Sequence, residues 1–273
     1  MKISFRYDLV MKDISVLFIG DIIGQPGMRA LVSMLPGLKK THSPDITIVN
    51  GENAADGFGI TEQLAQTIIN AGADIITTGN HIWQQKEVFP FLDSTDLVLR
   101  PVNYPPGVPG KGHCVLERKG IRFGVINLQG RVRMWPIDCP FRKAKEIIRK
   151  IEHQCDVILV DMHGESVEEK EAVAWDLDGK IQALVGTHTH IQTMDERILP
   201  KGTGYLSDLG ATGPRESVIG FDPETGIRRS ITQLPLKSEV SSKPAILCGA
   251  VMHIHPETKK VVAIQRIRES SLV

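Results

Sequence analysis

At five places in this 273-residue chain an apolar run ends in residues suited to holding a metal ion. Residues 15–20 close on Gly20-Asp21, and Ile46–Asn50 leads into Gly51-Glu52-Asn53. Ile75–Thr78 leads into Gly79-Asn80-His81, and Val157–Val160 runs into Asp161-Met162-His163. Ala183–Gly186 runs into Thr187-His188-Thr189-His190, where His188 and His190 alternate and so point the same way in extended backbone. Each motif has a plainer reading alone: Gly-Asp as a turn or helix cap, Gly-Asn-His as a turn, His163 as a core histidine. Together they predict one shared site built from Asp21, Glu52, Asn53, Asn80, His163, His188 and His190. These are more donors than one tetrahedral ion uses. Two ions about 3.5–4 Å apart can clamp a phosphoryl oxygen and activate a shared water. Carboxylate, amide and imidazole without thiolate suit manganese, iron or zinc better than copper(I) or a cluster. Two dications set against Asp21, Glu52 and one hydroxide leave positive charge to attract an anion such as a phosphoester.

The elements that must position these residues follow from the apolar pattern. The five donor-bearing runs read as short buried strands, and ligands in open α/β sheets bind beyond the carboxyl ends of strands. Pro26 predicts the first turn of a helix ending near Leu35. Thr61 predicts the N-cap of a second helix, stopped by Gly72, and a short helix is expected around Lys86–Leu92. Residues 100–111, rich in Pro and Gly, read as an ordered loop. Cys114–Arg118 and Ile121–Leu128 flank Lys119-Gly120 as a hairpin. Ala144, Ile147, Ile148 and Ile151 give Pro140–Glu152 one buried helical face, and Ser166-x-x-Glu169 predicts a capping box for a helix to Leu177. Strands are expected near 197–199, 204–206, 245–253 and 261–267, with residues 213–243 as a loop excursion. Strand–helix alternation mixed with hairpins predicts an α/β protein with two mixed sheets packed together and helices outside.

The 32 basic residues balance 32 acidic ones, so the whole molecule lacks the charge of a dedicated nucleic-acid binder. Cys114, Cys139, Cys155 and Cys248 are widely spaced, which predicts reduced thiols in a cytoplasmic protein rather than a disulfide framework. No apolar run reaches the ~20 residues of a membrane span, and the first ten residues show no signal-peptide core. Arg131 and Arg133 could face a substrate phosphate or line a solvated loop. Arg142, Lys143, Lys145, Arg149 and Lys150 read as the wet face of a helix. Phe58, Trp83 and Trp135 are candidates for stacking on a base, with core packing the default for each. His253 and His255 read as structural, and Gly57 and Gly59 as turn residues.

The blocks Gly20-Asp21-Ile22-Ile23-Gly24, Asn50-Gly51-Glu52-Asn53-Ala54-Ala55, Gly79-Asn80-His81, Arg100-Pro101-Val102-Asn103-Tyr104-Pro105, Asn127-Leu128-Gln129-Gly130-Arg131, Asp161-Met162-His163-Gly164-Glu165 and Gly186-Thr187-His188-Thr189-His190-Ile191-Gln192-Thr193 resemble the YmdB-like branch of the calcineurin-like metallophosphoesterases. The likeness runs through Asp195–Pro200 to Gly213-Pro214. It implies a four-layer α/β/β/α sandwich with mixed sheets, here as one domain over residues 13–273 after an extension over residues 1–12, expected to be disordered. It implies a di-metal phosphodiesterase, most often with iron or manganese, acting on 2′,3′-cyclic nucleotides by attack of a metal-activated hydroxide. In that pattern Asp21, Asn53 and His190 hold one ion, Asn80, His163 and His188 the other, and Glu52 bridges them. His81 matches the family's catalytic histidine. Ile23 stands where the wider superfamily has a histidine, and Glu52 replaces its bridging Asp, both as in the YmdB-like branch. Ile82 and Trp83 follow His81 where the superfamily places an acid. A homo-oligomer and an RNA-linked role rest on the resemblance alone. A phosphomonoesterase with the same centre, and a metal-binding regulatory protein acting through a partner, remain open alternatives. The intact donor set favours a hydrolase.

Overall fold

Alternation along the strands sets the layers. In the computed structural model, which describes residues 12–271, β1 (Ile14–Ile19) turns Leu17 and Ile19 toward one apolar core and Val16 and Phe18 toward another. A strand buried on both faces reads as a continuous apolar run, and this one does. β1 pairs in parallel with β2 (Ile46–Asn50), which continues to β3 (Ile75–Thr77) and β4 (Val98–Leu99). The second sheet starts with β5 (His113–Arg118) and β6 (Ile121–Gln129), joined as a hairpin in which Lys119 (φ 51°) and Gly120 (φ 79°) both turn left-handed. β7 (Val157–His163) and β8 (Ala183–Thr187) follow in parallel, then β10 (Gly204–Leu206), with β9 (Arg197–Ile198) antiparallel at the edge. On the far side of β1 the first sheet is completed by antiparallel β12 (Ala245–Ile254), which carries β11 (Gly213–Pro214) and β13 (Val261–Ser270).

Three apolar cores then make four layers. Helices α1 (Gly24–His42), α2 (Glu62–Ala71) and α3 (Phe89–Ser94) cover the first sheet through Leu31, Leu35, Ile68 and Leu92. The two sheets meet face to face through Phe18, Ile48, Phe123, Leu159 and Val185. Helices α4 (Pro140–Ile151) and α5 (Val167–Leu177) cover the second sheet through Ile147, Ile148, Val173 and Leu177. This is the α/β/β/α arrangement the resemblance implied. Among the described residues no helix is long and apolar enough to cross a membrane.

Several local expectations need correction. α1 does not stop near Leu35 but runs through Pro36 to His42; buried Leu38 and the Lys39 ammonium, which donates to the Gly72 carbonyl, hold the last turns despite the missing proline N–H. Residues 213–243 are not all loop. They include β11 and α6 (Pro223–Thr232), capped by the Asp222 side chain, which accepts from the Thr225 amide at 2.9 Å. The helix expected at 86–92 is a 3-10 turn over Lys86–Val88 followed by α3. Only half of the capping box forms: Ser166 accepts from the Glu169 amide, but the Glu169 carboxylate instead takes the amides of Arg131 and Val132. Trp135 is 78% exposed and belongs to no core. The extension over residues 1–12 lies outside the described residues except for exposed Lys12.

Candidate metal centre

The five donor-bearing strands are not neighbours in a single sheet. β1, β2 and β3 belong to the first and β7 and β8 to the second. Their carboxyl ends meet because the inward rows become polar there. Ile46 and Ile48 are followed on the inner face by Asn50, Ile75 by Thr77, Val157 and Leu159 by Asp161 and His163, and Val185 by Thr187. The apolar interface between the sheets therefore ends in a buried polar layer. Asn50 donates to Asp161 Oδ2 at 3.0 Å and to Thr187 Oγ1 at 3.3 Å, and Thr77 donates to the same Asp161 oxygen. Thr187 Oγ1 donates to Asp161 Oδ1 at 2.8 Å. Burial still pushes the Asp161 carboxyl up to about 6, against the hydrogen bonds from Thr77, Asn50 and Thr187. Asn50, Thr77, Asp161 and Thr187 were not singled out from the sequence; the strand alternation that puts them on inner faces was the available signal.

Above this layer lie the predicted donors. Asp21, Glu52 and His163 are fully buried, Asn53 is 1% exposed, and Asn80, His188 and His190 are half-buried. Glu52, His163 and His188 each present one donor atom within a common 4.8 Å. Glu52 Oε2 lies 3.0 Å from His163 Nε2, and His163 Nε2 lies 3.0 Å from His188 Nδ1. The other ring nitrogens explain this crowding. His163 Nδ1 faces Thr187 Oγ1 at 3.0 Å, and since that hydroxyl already donates to Asp161, the imidazole must be the donor. His188 Nε2 faces the Glu165 carboxylate at 3.4 Å. The lone pairs of His163 Nε2 and His188 Nδ1 are thereby turned toward each other and toward Glu52. Outer partners fix the tautomers of metal-bound histidines in this way.

His190 sits in a second group. Its Nδ1 donates to the Ile219 carbonyl at 2.8 Å, leaving Nε2 to face Asn53 Nδ2 at 3.1 Å. The Asn53 Oδ1 faces His81 Nδ1 at 2.7 Å, and the same nitrogen is 3.1 Å from Glu52 Oε1. His81 is thus supported by Asn53 and Glu52 rather than by an acid following it in sequence. As it stands, the Asn53 amide joins His190 to His81; ligation through Oδ1 beside His190 requires that amide to turn over. Asp21 adjoins the first group: Oδ2 accepts from the His188 amide at 3.2 Å, and Oδ1 is 4.0 Å from His163 Nδ1.

The loop carrying the last two histidines is strained, with φ 104° at His188 and 65° at His190. Asp208 restrains it, accepting from the Thr189 amide and hydroxyl at 3.0 and 2.9 Å and pairing with buried Lys170 at 3.1 Å. Lys170 and Asp208 are further supports that the sequence reading did not find. Gly79 allows the close approach of Glu52 and His163: a Cβ there would lie 1.8 Å from Glu52 Oε2 and 2.1 Å from His163 Cδ2. Asn80 follows it directly.

Two observations test whether these residues fit metal ions. Asp21 Oδ1, Glu52 Oε2 and Asn80 Oδ1 are buried acceptors with no hydrogen-bond donor, although buried acceptors are nearly always satisfied. Burial also disfavours charge throughout the group. It pushes Asp21 well above the carboxylate range, aided by Asp208 and Glu52, and pushes Glu52 up to about 7. It holds His163 well below the imidazole range and His188 down to about 2, with neighbouring imidazoles adding to the effect. Neutral imidazoles with inward lone pairs and buried acids without donors are what bound cations would satisfy. The residues present fit the group.

A cavity of about 520 Å³ opens over the centre, lined by His81, His188 and His190 and by Phe221, Thr225 and Arg229. The sequence pattern of the YmdB-like protein family matches residues 17–267. The chain is 47% identical to a 2′,3′-cyclic-nucleotide 2′-phosphodiesterase of Bacillus subtilis (strain 168), covering 92% of this chain and 96% of the relative. A crystal structure of a hypothetical protein from Thermus thermophilus superposes with a TM-score of 0.88 at 39% identity, covering 94% of this chain and 99% of that one. That of a novel phosphatase from Mycoplasma pneumoniae gives 0.90 at 34%, covering 96% and 95%. With the fold, the motif order and the likeness all extending over nearly the whole length, the chain belongs to the YmdB-like protein family.

Proposed function

We propose that this chain is a di-metal phosphodiesterase of 2′,3′-cyclic nucleotides. The observation that carries the proposal is the meeting of Glu52, with its orphaned buried oxygen, and the His163 and His188 lone pairs beside an open cavity. In this reading His163, His188 and Asn80 hold one ion, Asp21, His190 and a turned Asn53 the other, and Glu52 both. The separation of the His163–His188 pair from the His190–Asn53 pair supports that division. Iron or manganese is the proposed occupant on the family resemblance; the oxygen and nitrogen donors suit these ions and would also take zinc. When bound, two such ions neutralise phosphate charge and make a water acidic enough to supply a nucleophile near neutral pH.

The chain's own residues do the rest. Asn53 Oδ1 and Glu52 Oε1 both accept from His81 Nδ1, which fixes the ring and leaves Nε2 to give a proton to the ribose oxygen as its bond to phosphorus breaks. Once Asn53 turns to become a ligand, as this reading requires, Glu52 Oε1 alone keeps the orienting role. The α6 segment lines the cavity through Thr225, Gly226 and Arg229 and would border the bound substrate. A cytoplasmic location belongs to the same proposal, as does a single domain over residues 13–273.

The test is metal analysis of purified protein, then hydrolysis of cyclic nucleotides, an aryl diester and an aryl monoester with added manganese. About two ions per chain and turnover of the diesters are expected. Chelation followed by dialysis should abolish turnover, and a cysteine-free variant should keep it. Unchanged rates after chelation would refute a metal mechanism. Preference for the monoester would make the protein a phosphomonoesterase, and metal binding without turnover a regulatory one.

A further inference from the structure

Part of the cavity wall, through Phe221, Thr225 and Arg229, is built by the excursion that the sequence pattern left as loop. Its Phe221 ring stacks on Phe58, with centroids 5.4 Å apart and planes at 25°. Phe58 in turn meets the His81 ring edge-on at 5.1 Å. Both phenylalanines are half-buried and line the cavity rather than an apolar core. Arg229 of α6 lines the same wall; among the described residues no carboxylate lies within ion-pair distance of it, and its Nη1 donates to Ser238. A pair of stacked rings beginning beside His81, with an uncommitted guanidinium next to it, has the chemistry that recognises an unstacked nucleobase: an aromatic face to extend, and donors for a base edge.

We propose that Phe221, stacked on Phe58, is the nucleobase platform of this site, with Arg229 as a donor to the base edge. The inference rests on the cyclic-nucleotide reading above and deepens it. The excursion then distinguishes a nucleotide from any other small cyclic phosphate, while the metal-site residues act on the phosphate alone. Phe221 is the informative position because, unlike Phe58, it makes no ring contact with His81.

A pair of substrates differing only in the base tests this: adenosine 2′,3′-cyclic phosphate and ribose 2,3-cyclic phosphate. Phe221→Ala should raise KM for the nucleotide by about 5- to 150-fold, the range for loss of one base–aromatic stack, with little change in kcat. KM for the base-free ester should not move. Phe221→Tyr should restore nucleotide KM, and Arg229→Ala should act in the same direction as Phe221→Ala. Calorimetric binding of adenosine 3′-monophosphate against ribose 3-phosphate gives a readout independent of turnover. Loss of selectivity for the former in Phe221→Ala supports the platform even if neither cyclic ester is hydrolysed, an outcome that would sink only the catalytic reading. An unchanged nucleotide KM together with unchanged product selectivity would overturn the platform, as would equal losses for both members of each pair.

Discussion

Replacing Gly79 by alanine puts one methyl group where the structure leaves no volume. The new Cβ would stand 1.8 Å from Glu52 Oε2 and 2.1 Å from His163 Cδ2. Ordinary carbon contacts lie near 3.5 Å, so the His163 ring alone must retreat by about 1.4 Å. Neither neighbour is a flexible surface tip: both are fully buried, and His163 is tied to Thr187. The backbone at Gly79 has φ −155°, outside the left-handed region, and the cost counted here is that of contact. Overpacking of this kind costs about 1–3 kcal/mol, a fall in Tm of roughly 2–10 °C for a chain of this size. The effect on the site is larger. Metal ligands tolerate displacements of about 0.2 Å, and a misplacement of about 1 Å costs on the order of 10²-fold in rate. Gly79→Ala should therefore remain folded, lose bound metal at matched low metal concentration, and turn over cyclic nucleotide at least ~10²-fold more slowly. Gly37→Ala is the matched control, since that glycine has nothing near its missing Cβ. Parent-like metal content and a rate within about 5-fold of the parent in Gly79→Ala would refute the close-approach argument.

Glu52→Gln keeps the shape of the side chain but removes the charge between the two ligand groups. It should lower occupancy of both ions, whereas Asn53→Ala and Asn80→Ala should each chiefly weaken one; full occupancy in Glu52→Gln, by metal stoichiometry, would show that Glu52 does not bridge. His81→Ala should retain most metal and lose about 10²–10⁴-fold in turnover, and near-parental rates on cyclic nucleotide would remove it from the mechanism. Away from the site, Arg122 grips Asp156 with two guanidinium hydrogen bonds of 3.0 and 3.1 Å and holds its carboxyl down to about 2. A depressed carboxyl stabilises the fold above its unfolded value near 4 and loses that stabilisation as pH falls toward 2. The urea midpoint of Asp156→Asn should thus lie slightly below the parent's at pH 6, by an amount worth at most ~1 kcal/mol for so exposed a pair, and the two should converge near pH 2.

The gathering of the candidate ligands was legible because metal chemistry restricts residue types. Asp21, Glu52 and His163 stand at strand ends where a turn or a core histidine was the only competing explanation, and their number outweighed it. The layers were legible from strand alternation, as in Leu17 and Ile19 against Val16 and Phe18. What the pattern concealed were residues that act through others. Asp161 lies two positions before His163 and looks like a further ligand, yet it accepts from Asn50, Thr77 and Thr187, contacts visible only once the two sheets face each other. Helix α6 escaped because it is short and its apolar pair, Ile227 and Ile231, is exposed and too small to mark a buried face, so only Asp222-Pro223 announced its start. Glu169 read as half of a capping box because sequence shows the local partner and not the remote one, the Arg131–Val132 backbone that captures it.

The division of the donors between sheets has a mechanical meaning. Asp21, Glu52, Asn53 and Asn80 are carried by the first sheet, and His163, His188 and His190 by the second. The sheets already meet through the apolar core and the hydrogen-bonded layer of Asn50, Thr77, Asp161 and Thr187. Ions held by side chains of both sheets would add a further link at that end, so loading the site would tighten it. An ion held a hundredfold above its dissociation constant would strengthen the fold by about 2.7 kcal/mol. Bound ions would in this way tie the geometry of the centre to the packing of one sheet on the other.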